Sequence, residues 1–184
     1  MDIRTNIWER VGNGRNKPAS VIIPATEDMH AFTTSFVQEF HSVMEKVKMI
    51  PVIVECCENA LDFWTNMFKS ICESIMQSMC DESLKEQVRD TVDDMADVAD
   101  TDGIKEELVS VLEDINEAGI TILLMLEDFD QAVRNHNHPD LMKLRNVASG
   151  LSLLVVSYEQ PEQLAKKLNK ETYFCNQFKH YTIE

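Results

Sequence analysis

The sequence predicts a three-layer α/β domain, with a central, mostly parallel sheet of about five strands and helices on both faces. Three observations carry this. Short β-branched or apolar runs alternate with long stretches of helical periodicity. One run, Ile120-Thr121-Ile122-Leu123-Leu124-Met125-Leu126, is apolar at nearly every position, as a strand covered on both faces must be. Helices placed between strands imply right-handed crossovers, and those make the strands parallel.

The elements follow in order. Residues 1–18 hold Trp8, Gly12, Gly14 and Pro18 among polar residues and read as an N-terminal arm or loop that packs through Trp8. Residues 19–184 are the domain. Ser20–Pro24 is a short β-branched strand. Ala25-Thr26-Glu27-Asp28 is a turn, with Thr26 or Asp28 as the N-cap of a helix from Met29 to Lys48. Phe32, Phe36, Phe40, Val43 and Val47 give that helix its apolar stripe. Met49–Cys57 is the second strand, and Pro51 near its start favours a sheet edge.

Asn59–Cys80 reads as one long helix. Its stripe of Leu61, Trp64, Met67, Phe68, Ile71, Ile75 and Met79 is core. An acidic helix spans Leu84–Val98, and Thr101-Asp102-Gly103 breaks it. Ile104–Glu117 is the next helix, ended by Ala118-Gly119. The run Ile120–Leu126 is the third strand. A loop, Asn135–Asp140, leads to a helix over Leu141–Ser149 closed by Gly150. Leu151–Ser157 is a fourth strand, Pro161 opens a helix to Leu168, and Phe178–Ile183 is a fifth, more exposed strand.

Composition narrows the function. A chain of 184 residues with 44% hydrophobic content has a real core. The formal charge is −15, from 17 Lys+Arg against 32 Asp+Glu, and a field of that sign repels phosphate backbones and anionic lipid. Direct nucleic-acid contact and membrane binding are therefore disfavoured. Between Asp81 and Glu117 stand 14 acids and 3 bases (Lys85, Arg89, Lys105). Two readings of this segment stand open: a solvated helical face, or a docking surface for a basic protein partner. The five cysteines, Cys56, Cys57, Cys72, Cys80 and Cys175, are odd in number and lack CxxC spacing. They read as reduced, mostly buried thiols of a cytoplasmic protein. The N-terminus has no apolar signal region, and no apolar run reaches the length of a membrane span.

The third strand runs straight into Glu127, Asp128 and Asp130. Ligands in α/β proteins sit at the C-terminal ends of parallel strands, and acids there hold magnesium and orient water beside a nucleotide. With this motif in view, the chain resembles the core of STAND-type ATPases within the AAA+ and related P-loop class, over roughly residues 20–184. Phe63-Trp64 looks like the aromatic helix after the second strand. Leu126-Glu127-Asp128-Phe129-Asp130 is similar to the second acidic motif. Leu144-Arg145 resembles the short helix that follows, Val155-Val156-Ser157 the sensor strand, and Phe174-Cys175-Asn176-Gln177-Phe178 the closing aromatic turn.

The resemblance implies a P-loop NTPase-like fold, with Glu127 and Asp128 as the catalytic acids. Glu127, Asp128 and Asp130 are then the donors if magnesium is bound. It also implies a phosphate loop, GxxxxGK[ST], between the first strand and helix, whose backbone N–H groups and lysine cradle phosphates. The sequence departs from that loop. Pro24 and Met29 stand where its glycines belong, His30 at the lysine and Ala31 at the hydroxyl position, and Glu27 and Asp28 lie where a triphosphate sits. The acidic pair is also inverted, Glu before Asp. His30, Ala31, Ser157 and Arg145 are the residual nucleotide-binding positions. The expectation is a catalytically degenerate ATPase-fold domain, without a resident cofactor, that acts as a protein-interaction or assembly module. Its contact is a protein partner or a second copy of itself, with the acidic segment 81–117 as the candidate surface. The alternatives are a domain that binds or hydrolyses Mg-ATP through an atypical loop, or a metal-dependent phosphoesterase. His136-x-His138 with Asp140 offers metal-ligand types in one loop, Cys56-Cys57 a pair of thiols near a strand end, and Gly12-x-Gly14-Arg15 a glycine-rich stretch on the wrong side of the strand for a phosphate cradle.

Overall fold

A computed structural model describes residues 2–12, 17–95, 100–136, 143, 144, 147, 150–172 and 174–183. The strands are β1 (Ala19–Ile22), β2 (Met49–Glu55), β3 (Thr121–Glu127), β4 (Ser152–Ser157) and β5 (Lys179–Thr182). The helices are α1 (Ile3–Val11), α2 (Met29–Lys46), α3 (Ala60–Gln77), α4 (Glu82–Asp94), α5 (Thr101–Glu117), α6 (Phe129–Asn135) and α7 (Pro161–Lys167). The strands form one sheet in the order β2-β3-β4-β1-β5, and every pairing is parallel. This is a three-layer, P-loop NTPase-like α/β fold.

The alternation of side chains along each strand explains the unbroken apolar runs. Leu123, Met125, Leu154 and Val156 face one layer, where they meet Phe32, Phe36, Phe40 and Met44 of α2 and Ile7 and Val11 of α1. Leu124, Leu126, Leu153 and Val155 face the other layer, against Phe63, Trp64, Phe68, Leu108 and Phe129. Each face needs its own apolar set, so the sequence cannot alternate with polar residues.

The segment expected as an arm is largely helix α1. Its Trp8 stacks on Phe40 at 5.1 Å between ring centroids, and Tyr181 Oη donates to Asn6 O at 3.2 Å. Apolar residues spaced four apart, Ile7 and Val11, turn the helix onto the sheet. Asp28 is the cap of α2, Asn59 of α3 and Asp100 of α5, each accepting backbone N–H groups of the first turn. Thr101-Asp102-Gly103 is therefore the first turn of α5 and not a break before it. Gly119, at φ 73°, sits past the end of α5 in the left-handed conformation that glycine adopts without a Cβ clash.

Helix α6 was not expected. Its seven residues are too short for a periodic signal, and Phe129, Ala132 and Val133 make it visible only through burial. Glu127 lies inside β3 instead of after it. Strand β2 forms a sheet edge, as Pro51 suggested. Lys48 O and Cys56 N both bond to β3, so the even-numbered residues of β2 point their backbone groups inward and the odd ones outward. Pro51, with no N–H to offer, occupies the outward row.

Candidate functional site

The candidate site lies at the C-terminal edge of the sheet, where the β1–α2 junction faces the end of β3. Glu127 continues the alternation of Leu123 and Met125, so its side chain turns toward α2. It is 7% exposed. His30 Nδ1 stands 3.2 Å from Oε1 and 3.4 Å from Oε2 of Glu127. The hydroxyl of Thr33 donates to Oε1 as well. Thr33 is buried, and the carbonyls of Met29 and His30 lie within 3.2 Å and 3.1 Å of its Oγ1. One hydroxyl proton faces three acceptors, and a carboxylate is the strongest of them.

The start of α2 is occupied in the same way. The Asp28 carboxylate accepts from His30 N at 2.8 Å and from Ala31 N at 3.2 Å. These are the N–H groups that a phosphate would use at a helix N-terminus. Met29 stands at the position of the second glycine and is buried, with its Sδ 3.1 Å from Asp128 N. Met29 belongs to the core cluster beneath the junction, and two of the N–H groups at the start of α2 are already engaged by an acid of the same chain, which does not suit a phosphate cradle.

The other two acids have different surroundings. Asp128 adopts φ 50°, ψ 45°, the left-handed region that Asp tolerates better than most residues. Burial first, and then the charge of Glu55, raises its carboxyl above the usual range, against a hydrogen bond from Gln131. Asp130 turns Oδ2 to Tyr158 N at 2.7 Å and Oδ1 to Glu159 N at 3.2 Å, which fixes the turn after β4. Burial raises its carboxyl too, partly offset by those two donors. Among the described residues, no group of three or more His, Cys, Asp or Glu is gathered to hold a metal ion.

The structure thus brings His30 to Glu127 and places Ala31 beside Asp28. Ser157 belongs with Leu153 and Val155 on the opposite face of the sheet, buried, with no partner for its Oγ. Arg145, His138, Asp140, Gly14 and Arg15 lie outside the described residues. His136 is buried, with Nε2 3.0 Å from Cys57 O and its ring edge-on to Phe63 at 5.0 Å. Cys56 is a buried thiol raised well above its ordinary pKa, first by burial and then by the charges of Asp128, Cys57 and Asp130, so it stays protonated and unreactive. Thr33 escaped the sequence reading. Its signal was its place one turn after His30, on the same helical face.

No protein-family profile and no curated protein sequence matches the chain. Solved structures do match in shape. The ORC2 protein of Aeropyrum pernix in its ADP form gives a TM-score of 0.62 at 11% identity, over 98% of this chain and 45% of that one. The same protein in its ADPNP-ADP complexes gives 0.58 at 10% identity, over 98% and 46%. Cdc6p of Pyrobaculum aerophilum gives 0.52 at 15% identity, over 98% and 43%. The chain spans less than half the length of these neighbours. At such identities the likeness concerns the fold: this chain has the α/β fold of those proteins.

Proposed function

We propose that this chain is a P-loop NTPase-like domain that neither binds nor hydrolyses nucleotide and serves as a protein-interaction or assembly module. One observation carries the reading. The backbone donors at the start of α2 are satisfied by Asp28, within a junction where Met29 replaces glycine and His30 pairs with Glu127. A triphosphate entering there meets an acid already bonded to its donors, and like charges in a cleft repel. Fold and chemistry separate easily, so a retained sheet without a phosphate loop supports a binding role. The acidic segment 81–117 supplies a surface for a basic partner. Exposed Asp81, Glu82, Glu86, Asp90 and Asp93 line α4, with Arg89 the exposed base among them.

Thermal unfolding with and without Mg-ATP tests this. Saturating a native site at 100 times its dissociation constant adds about 2.7 kcal/mol. For a chain of this size that raises the melting temperature by roughly 5–10 °C. We expect no shift at millimolar Mg-ATP; a shift of that size sinks the proposal in favour of a nucleotide-binding domain with an atypical loop.

A further inference from the structure

Buried polar atoms without a hydrogen-bond partner gather on one side of the sheet: Ser157 Oγ on β4, Ser20 Oγ on β1 and Nδ1 of His180 on β5. The strand register brings them together. Ser20 stands beside His180 across β1 and β5, and Ser157 stands beside Ile22, two residues further along β1. Ala19, Val21 and Tyr181 face the layer of α1 and α2. Their neighbours Ser20 and His180 therefore face the other layer, where Leu164 and Ala165 of α7 pack with Phe174 and Phe178.

His180 sits on the most weakly held strand. β5 has four residues, lies at the sheet edge, and pairs with β1 alone. Lys179 N donates to Pro18 O at 3.3 Å and Ile183 N to Ile22 O at 2.9 Å, while Tyr181 Oη reaches Asn6 O of α1. Short edge elements open locally at a fraction of the free energy of global unfolding.

A proton on the imidazole makes both nitrogens donors on one cation. The buried Nδ1 then needs an acceptor, and the adjoining side chains offer only neutral hydroxyls. Burial holds the imidazole below its ordinary 6.5, against the charge of Glu162 on α7. That acid is shared with Lys166. Cys175, in the turn after α7, is a thiol kept neutral by burial, and Lys179 turns to the opposite face, over the ring of Tyr181 at 5.1 Å. Stability from a neutral His180 is fully present above pH 6.5 and is lost as the pH falls below it.

We infer that β5 is an acid-released latch: a proton on His180 detaches the strand from β1, frees Tyr181 from α1, and leaves the backbone of β1 as the sheet edge. Release lets water hydrate the imidazolium. At neutral pH β5 covers an edge that, once open, invites pairing with another strand. The latch does not depend on whether the domain binds nucleotide.

Amide hydrogen exchange of the full chain, followed by NMR and corrected for the intrinsic pH dependence of exchange, tests it. Between about pH 7.5 and about pH 5 the protection of the Lys179 and Ile183 amides should fall several-fold, while that of Leu124 and Leu126 in β3 holds. The His180 ring should titrate below 6.5, in step with that loss. His180→Gln, neutral at both pH values, should abolish the fall, and His41→Gln, at an exposed histidine of α2, should keep it. Protection lost equally in β3 and β5, a ring titration at or above 6.5, or the same fall in His180→Gln overturns the latch. The first two readings come from the unmodified chain, so they decide the matter even where the variant does not fold.

Discussion

The imidazole of His30 stands with Nδ1 3.2 Å from Oε1 of Glu127, although 97 positions separate the two residues in the chain. Helix α2 and the end of β3 are thereby tied together at the C-terminal edge of the sheet. Thr33 draws the same carboxylate from below. The acid that looked like half of an open site is a buried acceptor with two donors.

Thr33→Val tests that tie. The variant keeps the shape of the side chain and removes its hydroxyl, leaving one fewer donor on a buried carboxylate. We expect a loss of about 2 kcal/mol in urea unfolding, or roughly 4–8 °C in melting temperature. Glu127→Gln should lose less, because its amide oxygen still accepts from Thr33. An unchanged Thr33→Val variant contradicts the tie.

Asp28→Ala removes the cap of α2. Its expected cost is about 1 kcal/mol, seen as a melting temperature lower by roughly 2–4 °C. The N–H groups of His30 and Ala31 are then free, yet Mg-ATP should still give no shift, because the junction still lacks the glycines and lysine of a phosphate loop. A nucleotide shift that appears in this variant alone means that the carboxylate was the only obstacle.

The buried thiols give a pH dependence with a definite sign. Burial pushes Cys72 up to about 12 and Cys175 up to about 11, from an ordinary 9.0. The unfolded thiols ionise first, so the native state holds more protons above that value. Stability from these groups is fully present below pH 9.0 and is lost as pH rises toward 11 and 12. Urea midpoints should fall from about pH 9 upward, and Cys72→Ala should flatten the fall. Alkylation of the native chain at about pH 8 should mark Cys57 and Cys80, which are part-exposed, before Cys56, Cys72 and Cys175.

Gly12 tests how firmly α1 belongs to the domain. Its φ is −77°, so conformation does not demand glycine. Space does: a Cβ there would lie 2.6 Å from Cε2 of Trp8, whose ring is pinned against Phe40. Gly12→Ala should cost roughly 1–3 kcal/mol by overpacking. Combined with Trp8→Leu, the two losses should fall short of their sum, since the second change removes the clash of the first. Strict additivity would detach Gly12 from that contact.

The strands and long helices were legible because each carries a periodic signal. Leu123 and Leu124 pointed to a strand covered on both faces, Pro51 to an edge, and Asp28, beside Thr26, to a cap. Helix α1 and helix α6 were not legible. Their short apolar sets, Ile7 with Val11 and Phe129 with Ala132 and Val133, acquire meaning only against the surface they cover. The exposed position of Met79 was hidden for a similar reason, since its spacing continues the stripe of α3 while the backbone leaves the helix two residues before it.

The sequence by itself determined the layered α/β fold, the absence of a glycine-rich phosphate loop and the cluster of acids after the third strand. Residue identity and period suffice for these. What the acids do was decided only by tertiary structure. Glu127 meets His30 and Thr33 because strand alternation turns it toward α2. Asp130 meets Tyr158 N–H and Glu159 N–H because α6 folds back under β4. Asp28 meets its own helix. A carboxylate's role depends on which donors lie within about 3 Å of it, and that distance is set by the packing of segments far apart in the chain.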